Sequence, residues 1–263
     1  MLKKRLIFAL LWQNGKFCLS RNFKLQLAGD LAWIQKNYNF KVVAQAIDEL
    51  VVLNVARFDK AMAAFASQVA ELTQGCFVPL AAGGGIRNMD DAELLLRSGA
   101  DKLIVNTALV TDHDLVSAMV RRFGSQCVVA SVDYRRVLGG TEVFIENGSR
   151  GSGASVDEAV RRAEGLGVGE IYLTSMDQDG TGQGYDLEPL IRLAATTKVP
   201  IIASGGVGKF EHLASWLASP SASAAATANI FNFLGSGLLE ARKHIVEQGI
   251  PLATWPLPSE VKL

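Results

Sequence analysis

The sequence predicts a (β/α)8 barrel formed by one domain of 263 residues. Short apolar runs, each long enough for a buried strand, alternate with stretches of helical periodicity along the chain. A hydrophobic fraction of 49% is sufficient for one large core. A glycine-ended strand also recurs 121 positions later, which indicates half-barrels at about residues 1–122 and 123–250, followed by a short tail at 251–263.

The first half contains four predicted strand-plus-helix units. Its strands are predicted at residues 5–11, 49–54, 78–86 and 101–107. Its helices are predicted at 59–72, from 88 to about 99, and at 29–45, where one face carries Leu31, Ile34, Tyr38 and Val42. An Asn14-Gly15 turn follows the first strand. Asn88 is placed to cap the third helix, and Thr111 to cap the fourth.

The second half repeats this plan. Its strands are predicted at residues 127–133, 170–175, 199–203 and 222–228, with a closing helix at 238–248. A glycine-rich segment at 138–153 predicts a hairpin over one end, and Ser155 with Glu158 forms a capping box. Parallel strands joined by right-handed crossovers close into a barrel whose chemistry lies at the carboxyl ends of the strands.

Two glycine-ended strands carry the main functional signal. Residues 78–86 read Val-Pro-Leu-Ala-Ala-Gly-Gly-Gly-Ile, and residues 199–207 read Val-Pro-Ile-Ile-Ala-Ser-Gly-Gly-Val. Glycine lets backbone N–H groups approach a ligand, and the helix start adds a partial positive charge, so phosphate is the expected ligand. An ordinary turn also needs glycine. Two copies at equivalent places nevertheless predict two phosphate sites and a ligand phosphorylated at both ends.

Aligning the two half-barrels at this spacing shows that one acid–base partner is missing from the expected reaction centre. Glu49 aligns with Glu170, and Leu11 falls opposite Asp133 on the strands that face each other across such a barrel. An acid–base pair acting on both sides of a substrate needs a titratable group at each place. This chain has a carboxylate on one side and a leucine on the other.

Composition excludes several other classes. Lysine plus arginine (26) balance aspartate plus glutamate (26), so neither nucleic acid nor an anionic membrane is an expected partner. Three cysteines and three histidines have no metal or redox spacing, which favours a reducing, cytoplasmic location without a metal or cofactor. The N-terminal apolar run imitates a signal peptide but is short, and Gln13-Asn14 follows it, so a buried strand is the better interpretation.

Four segments resemble the cyclase subunit of imidazole glycerol phosphate synthase, the HisF family. They are Phe123-Gly124-Ser125-Gln126, Asp133-Tyr134-Arg135-Arg136, Leu173-Thr174-Ser175-Met176-Asp177-Gln178-Asp179-Gly180-Thr181 and Ile202-Ala203-Ser204-Gly205-Gly206. The similarity covers almost the whole chain. It implies a HisH-like glutaminase bound as a heterodimer at the N-terminal face of the barrel, from which ammonia crosses the interior to a doubly phosphorylated ribulosyl nucleotide precursor.

The resemblance also implies roles for individual residues. Asp133 is the retained catalytic aspartate, and Asp101 corresponds to a contact with the glutaminase. Arg5, Glu49, Lys102 and Glu170 correspond to a charged gate where ammonia enters. The positions implied to contact phosphate or substrate are Gly84, Gly85, Asn106, Thr107, Thr174, Asp179, Gly180, Gly205, Gly206 and Asn229.

Departures from the family pattern concentrate at the reaction face. Leu11 occupies the place of the other catalytic aspartate, and Leu19 that of a lysine that folds over the substrate. Asn54 replaces an aspartate at the end of strand two, and Asn229 a phosphate-facing serine. Because leucine cannot transfer a proton, the loss of one acid–base partner is expected to lower the rate by ~10²–10⁴-fold. All four gate charges are present, either as an ammonia entrance or as a neutral plug that stabilises the barrel end.

Three functions remain open on this basis. The first is a paralogue that binds a glutaminase and conducts ammonia to a third protein, as do relatives in surface-polysaccharide clusters that work with a sugar amidotransferase. The second is an ordinary cyclase of histidine biosynthesis with an unusual first strand, acting as a lyase. The third is a phosphate-binding isomerase on the same scaffold, and Leu11 counts against it as well. The first is favoured, with impaired cyclase activity.

Overall fold

A closed barrel of eight parallel strands forms the centre of the protein in a computed structural model. The structure describes residues 3–38, 43, 45–229 and 235–253. The strands in chain order are β1 (Arg5–Gln13), β2 (Lys16–Arg21), β3 (Lys24–Gly29), β4 (Glu49–Asn54), β5 (Leu80–Gly83), β6 (Lys102–Val105), β7 (Val128–Val137), β8 (Gly140–Ile145), β9 (Arg150–Gly151), β10 (Glu170–Ser175), β11 (Ile201–Ser204) and β12 (Ala224–Thr227). The barrel order is β1-β4-β5-β6-β7-β10-β11-β12, and β12 pairs with β1 to close it. The fold class predicted from the sequence is confirmed.

Helices follow the barrel strands and cover the barrel from outside. They are α1 (Leu31–Asn37), α2 (Met62–Gly75), α3 (Met89–Arg97), α4 (Ala108–Thr111), α5 (His113–Phe123), α6 (Val156–Gly165), α7 (Leu187–Ala194), α8 (Phe210–Leu217) and α9 (Gly237–Glu247). Within the described ranges, no helix has both the length and the apolar character that a bilayer span requires.

Two antiparallel hairpins extend the barrel at the carboxyl ends of its strands. One continues from β1 into β2 and β3, and the other joins β7, β8 and β9. The second is the hairpin predicted at 138–153. The first was not predicted, because its turn at Asn22 and Phe23 has positive φ at both residues, 50° and 62°, without any glycine to signal it.

Helix caps agree with the sequence at two places and differ at one. Asn88 accepts a hydrogen bond from the Asp91 N–H at 2.8 Å, and Ser155 with Glu158 forms the predicted capping box. The cap predicted at Thr111 is wrong. Thr111 ends the short helix α4, and the side chain of Asp112 caps α5 by accepting from the Leu115 N–H at 2.9 Å.

Several helix boundaries also differ from the predictions. Helix α1 begins after Asp30, whose carboxylate accepts from the Trp33 N–H at 3.0 Å. The single helix predicted over 29–45 is wrong in its length, because α1 ends at Asn37 and Tyr38 is extended; residues 43 and 45 are helical as predicted, whereas Val42 lies outside the described residues. Helix α2 begins at Met62 rather than at 59, because Asp59 and Ala61 form a turn in which Ala61 has φ of 40°.

Inward-facing side chains divide the barrel interior into layers. Alternate residues of each strand point inward, which places charged residues at the N-terminal end and polar residues at the carboxyl end. The layer between them is a buried cluster of Ile7, Ala9, Val51, Ala81, Ile104, Val129, Tyr172, Ile202, Ala224 and Ala226. Tyr172 is the polar member of that cluster.

Candidate functional site

The N-terminal end of the barrel is closed by a ring of four charged side chains. Lys102 Nζ lies 2.8 Å from both Glu49 and Glu170, and Arg5 forms salt bridges with the same two carboxylates, the one to Glu49 at 2.9 Å. Each cation contacts both anions, so the ring is electrically neutral. The four residues that sequence analysis grouped together therefore lie together, on β1, β4, β6 and β10.

The two carboxylates of the ring differ in their environment. Glu49 is 2% exposed, and burial raises its pKa despite the two neighbouring cations. Burial also acts on Glu170, but attraction to Arg5 and Lys102 outweighs it, and the pKa of Glu170 is lowered. The Oε1 atom of Glu49 is buried and has no hydrogen-bond partner among the residues that the structure describes. Glu49 is thus the member of the ring best suited to accept a hydrogen bond from a further donor.

Asp101 lies beside the ring but its side chain has an internal partner. Its Oδ2 atom accepts a hydrogen bond from the Leu80 N–H at 2.8 Å and so fixes the start of β5. The residue remains exposed on the N-terminal face. Phe77, which precedes β5 at the same end, is 82% exposed. An exposed carboxylate and an exposed aromatic ring therefore occupy this face.

At the opposite end, Asp133 and Leu11 line one central pocket. Asp133 Oδ2 accepts from Asn106 Nδ2 at 3.2 Å, and its Oδ1 accepts from Ser131 Oγ at 3.4 Å. Burial, with a contribution from the charge of Asp179, raises the pKa of Asp133 to about 7. A carboxyl that titrates near neutral pH can both accept and donate a proton. Leu11 offers no partner for that transfer.

The rest of the central pocket is largely apolar. Phe23, Leu25, Leu53 and Val55 line it together with Leu11. Thr174, a predicted substrate contact, is buried there beside Asp133 rather than in either glycine cleft. The Tyr172 hydroxyl reaches the floor of this pocket, where it and Ser204 Oγ are 3.0 Å apart and share one hydrogen bond.

Asp179 connects the pocket to the β2–β3 hairpin. Its Oδ2 atom accepts from Ser20 Oγ at 2.5 Å and from the Phe23 N–H at 3.0 Å. Burial raises its pKa. Gly180 is in close contact with the same hairpin, because a Cβ there would lie 2.1 Å from the carbonyl oxygen of Ser20. Both residues therefore hold the hairpin over the central pocket.

The two glycine pairs line separate clefts on either side of the central pocket. Gly84 and Gly85 have φ of 96° and 94°, and Gly205 and Gly206 have φ of 91° and 103°. The two glycine pairs thus share the same left-handed backbone conformation. The first cleft, of about 600 Å³, also contains Asn106 and Thr107. The second, of about 260 Å³, contains Gly180, Asn229 and Leu19, which differs from the family pattern.

Comparison with known proteins identifies the family. A family model described as histidine biosynthesis protein matches residues 6–235. The chain belongs to this family. A relative from Parasynechococcus marenigrum, provisionally named imidazole glycerol phosphate synthase subunit hisF2, is 41% identical over 98% of this chain and 97% of its own length. The imidazole glycerol phosphate synthase subunit HisF of Hyphomonas neptunium is 38% identical over 97% of this chain and all of its own length.

The chain is therefore HisF-like over nearly its full length, as its motifs predicted. Sequence analysis nevertheless overlooked several residues of its reaction face. Tyr172 could have been found, since Glu170, Tyr172 and Thr174 alternate along one barrel strand. Lys60 and Asn147 could not, because a loop before α2 and the turn between β8 and β9 meet only in the folded barrel.

Proposed function

We propose that this chain is the barrel subunit of a glutamine-dependent amidotransferase complex, with an impaired cyclase reaction of its own. It binds a HisH-type glutaminase as a heterodimer on its N-terminal face and conducts ammonia through the barrel. The observation that carries this proposal is the contrast between a complete ring of Arg5, Glu49, Lys102 and Glu170 and a reaction centre in which Leu11 faces Asp133.

The N-terminal face has the features that a docked ammonia source requires. The ring marks the barrel mouth, and the unpartnered Glu49 Oε1 is an acceptor for an entering N–H group. Asp101 and Phe77 on the same face offer a charged and an apolar contact for a protein partner. The two HisF relatives are themselves named as subunits of a synthase, which supports a partner.

The barrel interior favours ammonia over ammonium. Beyond the ring lies an apolar layer that contains the small side chains Ala9, Ala81, Ala224 and Ala226. Moving a cation into such a layer without a counter-charge costs several kcal/mol, whereas a neutral molecule does not incur that penalty. Ammonia that leaves the layer meets the Tyr172–Ser204 hydroxyl pair and then the central pocket.

The favoured acceptor is a sugar amidotransferase of surface-polysaccharide synthesis. The class of acceptor is inferred from the resemblance to relatives that work with such an enzyme, whereas the loss at Leu11 supports only that another protein uses the ammonia. The second candidate is the complete cyclase, a lyase acting on a doubly phosphorylated ribulosyl nucleotide. Asp133, with its pKa near 7, and the two equivalent glycine clefts favour that alternative.

Genetic complementation separates the two candidates. The gene is introduced at normal expression into a bacterium that lacks its histidine-pathway cyclase subunit, beside the intact gene as a positive control. We expect no growth without histidine, because Asp133 has no acid–base partner. Growth at the control rate would refute the impaired-cyclase proposal and establish the alternative. Protein from the same cells is quantified, so that failure to accumulate is not mistaken for inactivity.

A further inference from the structure

The first glycine cleft contains more positive charge than the fold itself balances. Arg57, Lys60 and Arg87 all line it. Across the described part of the chain, none of these three forms a salt bridge. Two cleft carboxylates are already engaged: Asp112 caps helix α5, and Glu146 pairs with Arg150 at 2.9 Å. The cleft therefore presents cations that have no internal counter-charge.

Lys60 is the most enclosed of these cations. Its stem lies against Gly85, since a Cβ on that glycine would be 2.6 Å from Lys60 Cγ. Its Nζ atom donates to the Asn54 carbonyl oxygen at 3.2 Å and lies 3.4 Å from Asn147 Oδ1. Both acceptors are neutral, and an ammonium group has three protons. One N–H of Lys60 is left for another acceptor.

The asparagine at the end of β4 maintains this arrangement. Asn54 Nδ2 donates to the Lys60 carbonyl oxygen, and its Oδ1 accepts from the Ala56 N–H at 3.1 Å. An aspartate here could not donate to that carbonyl, and it would place a negative charge beside the ammonium group. Asn54 thus positions the Lys60 loop and leaves the lysine charge available. Asp59, next to Lys60, uses its carboxylate to accept from the Ala61 N–H at 2.8 Å.

The surroundings of Lys60 disfavour its charged form. Burial, followed by repulsion from Arg87, lowers the pKa of Lys60 to about 8. A bound dianion would oppose both effects, because it is attracted to each of the two cations. The other charged groups that line the cleft are Arg57, Arg87, Asp112 and Glu146, and Asp59 precedes Lys60 in the chain.

We propose that Lys60, with Arg87, is the charge-recognition pair for the dianionic phosphate group of a phosphate monoester in the first cleft. Gly84 and Gly85 let the ligand approach the backbone closely, while the two cations supply the two positive charges that a dianion requires. The resemblance already implies phosphate in this cleft, and the inference deepens the proposed function by assigning the side chains that recognise its charge. A singly charged carboxylate is a poorer match, because it leaves one cation unbalanced.

Calorimetric titration of the purified chain with glycerol phosphate tests this assignment. The second pKa of a phosphate ester is about 6, so the probe stays dianionic from pH 7 to 9. We expect Lys60→Met to weaken binding about tenfold at pH 7 and Asn54→Asp to weaken it similarly, each corresponding to one lost charge-assisted contact. Lys198→Met removes an equal charge from an exposed position outside the cleft and should bind like the unaltered protein.

The pH profile gives a readout that a merely structural lysine would not change. Binding by the unaltered protein should weaken about tenfold from pH 7 to 9, as a lysine with a pKa of about 8 loses its proton. Lys60→Arg should bind at pH 7 and keep its affinity at pH 9, since arginine stays charged. Thermal melts confirm that each variant is folded.

Each unfavourable result has a distinct meaning. Equal affinity of Lys60→Met and the unaltered protein overturns the role of Lys60, and so does an unchanged pH profile in Lys60→Arg. Equal weakening by Lys198→Met indicates general surface attraction and overturns the assignment too. Failure of the unaltered protein to bind the probe refutes the phosphate cleft itself. None of these measurements uses a glutaminase or an ammonia acceptor, so the conduit proposal can stand or fall separately.

Discussion

The two ends of the barrel handle buried charge in opposite ways. At the N-terminal end, Arg5 and Lys102 each contact both Glu49 and Glu170, and the charges cancel inside the fold. At the carboxyl end, Asp133 has only neutral hydrogen-bond donors, and Lys60 has only neutral acceptors. The first arrangement is complete without any ligand. The second leaves both charges without a counter-charge among the described residues that hydrogen-bond them.

The largest expected effect concerns the incomplete end. With purified glutaminase and the ribulosyl nucleotide, the unaltered chain should form imidazole glycerol phosphate ~10²–10⁴-fold more slowly than a HisF subunit with both aspartates. Leu11→Asp should raise the rate of product formation by less than tenfold, because Leu19, Asn54 and Asn229 also differ from the family pattern. Product is followed under saturating substrate. A Leu11→Asp rate equal to that of the HisF subunit would show that the side chain at position 11 alone accounts for the lost activity.

The next effect tests whether the ring controls passage. Lys102→Ala leaves Glu49 and Glu170 sharing the single cation of Arg5, so the ring should loosen. We expect the ratio of glutamate released to amidated product to rise severalfold, with ammonium salt restoring product. An unchanged ratio would mean that the ring is only a structural plug and does not control the passage of ammonia. Lys198→Ala serves as the charge-matched control.

Asp133 should make the carboxyl end sensitive to pH. Its folded pKa of about 7 lies above the unfolded value of about 3.9, so the folded state holds a proton that the unfolded chain releases between these values. Stability contributed by protonated Asp133 is therefore present at low pH and is lost as pH rises from about 4 through 7. Asp133→Asn should be more stable than the unaltered protein at pH 8 by about 1–2 kcal/mol.

Urea unfolding of both proteins at pH 5 and pH 8 measures this difference. The advantage of the asparagine variant should shrink at pH 5, where Asp133 is already protonated in the folded state. An advantage that is the same at both pH values would mean that Asp133 is not the titrating group. Ser131 and Asn106 remain to hydrogen-bond the new side chain.

The smallest effect concerns Lys60. Its folded pKa is lowered, so the unfolded chain binds the extra proton, and stability is gained as pH rises from about 8 to the ordinary lysine value. At pH 7 the buried ammonium group of Lys60 therefore lowers the free energy of unfolding by its full amount. Lys60→Met keeps the apolar stem, and its melting temperature should be about 2–4 °C higher at pH 7, equivalent to ~1 kcal/mol. A lower melting temperature would indicate that Lys60 mainly stabilises the loops it joins.

Much of the fold and half of the site could be predicted from the sequence. Alternation of apolar strands and amphipathic helices gave β10 at its observed bounds, and Asn88 and Ser155 marked helix starts through their local capping chemistry. The ring was predicted from the family resemblance, and barrel closure gives its physical reason, because its members begin four barrel strands whose starts lie together. The loss at Leu11 was equally visible, since β1 and β7 occupy opposite walls.

Only the tertiary structure decided how the carboxyl end is organised. The β2–β3 hairpin has a turn without glycine, and its geometry is held by Asn22 and Asp179, which are distant in sequence. The availability of the Lys60 charge likewise depends on Asn54 and Asn147, and on Asp112 and Glu146 having other partners, which no periodicity encodes. Strand order and helix caps follow from local, repeating chemistry. The balance of buried charge depends on which loops meet, and that is settled only when the barrel closes.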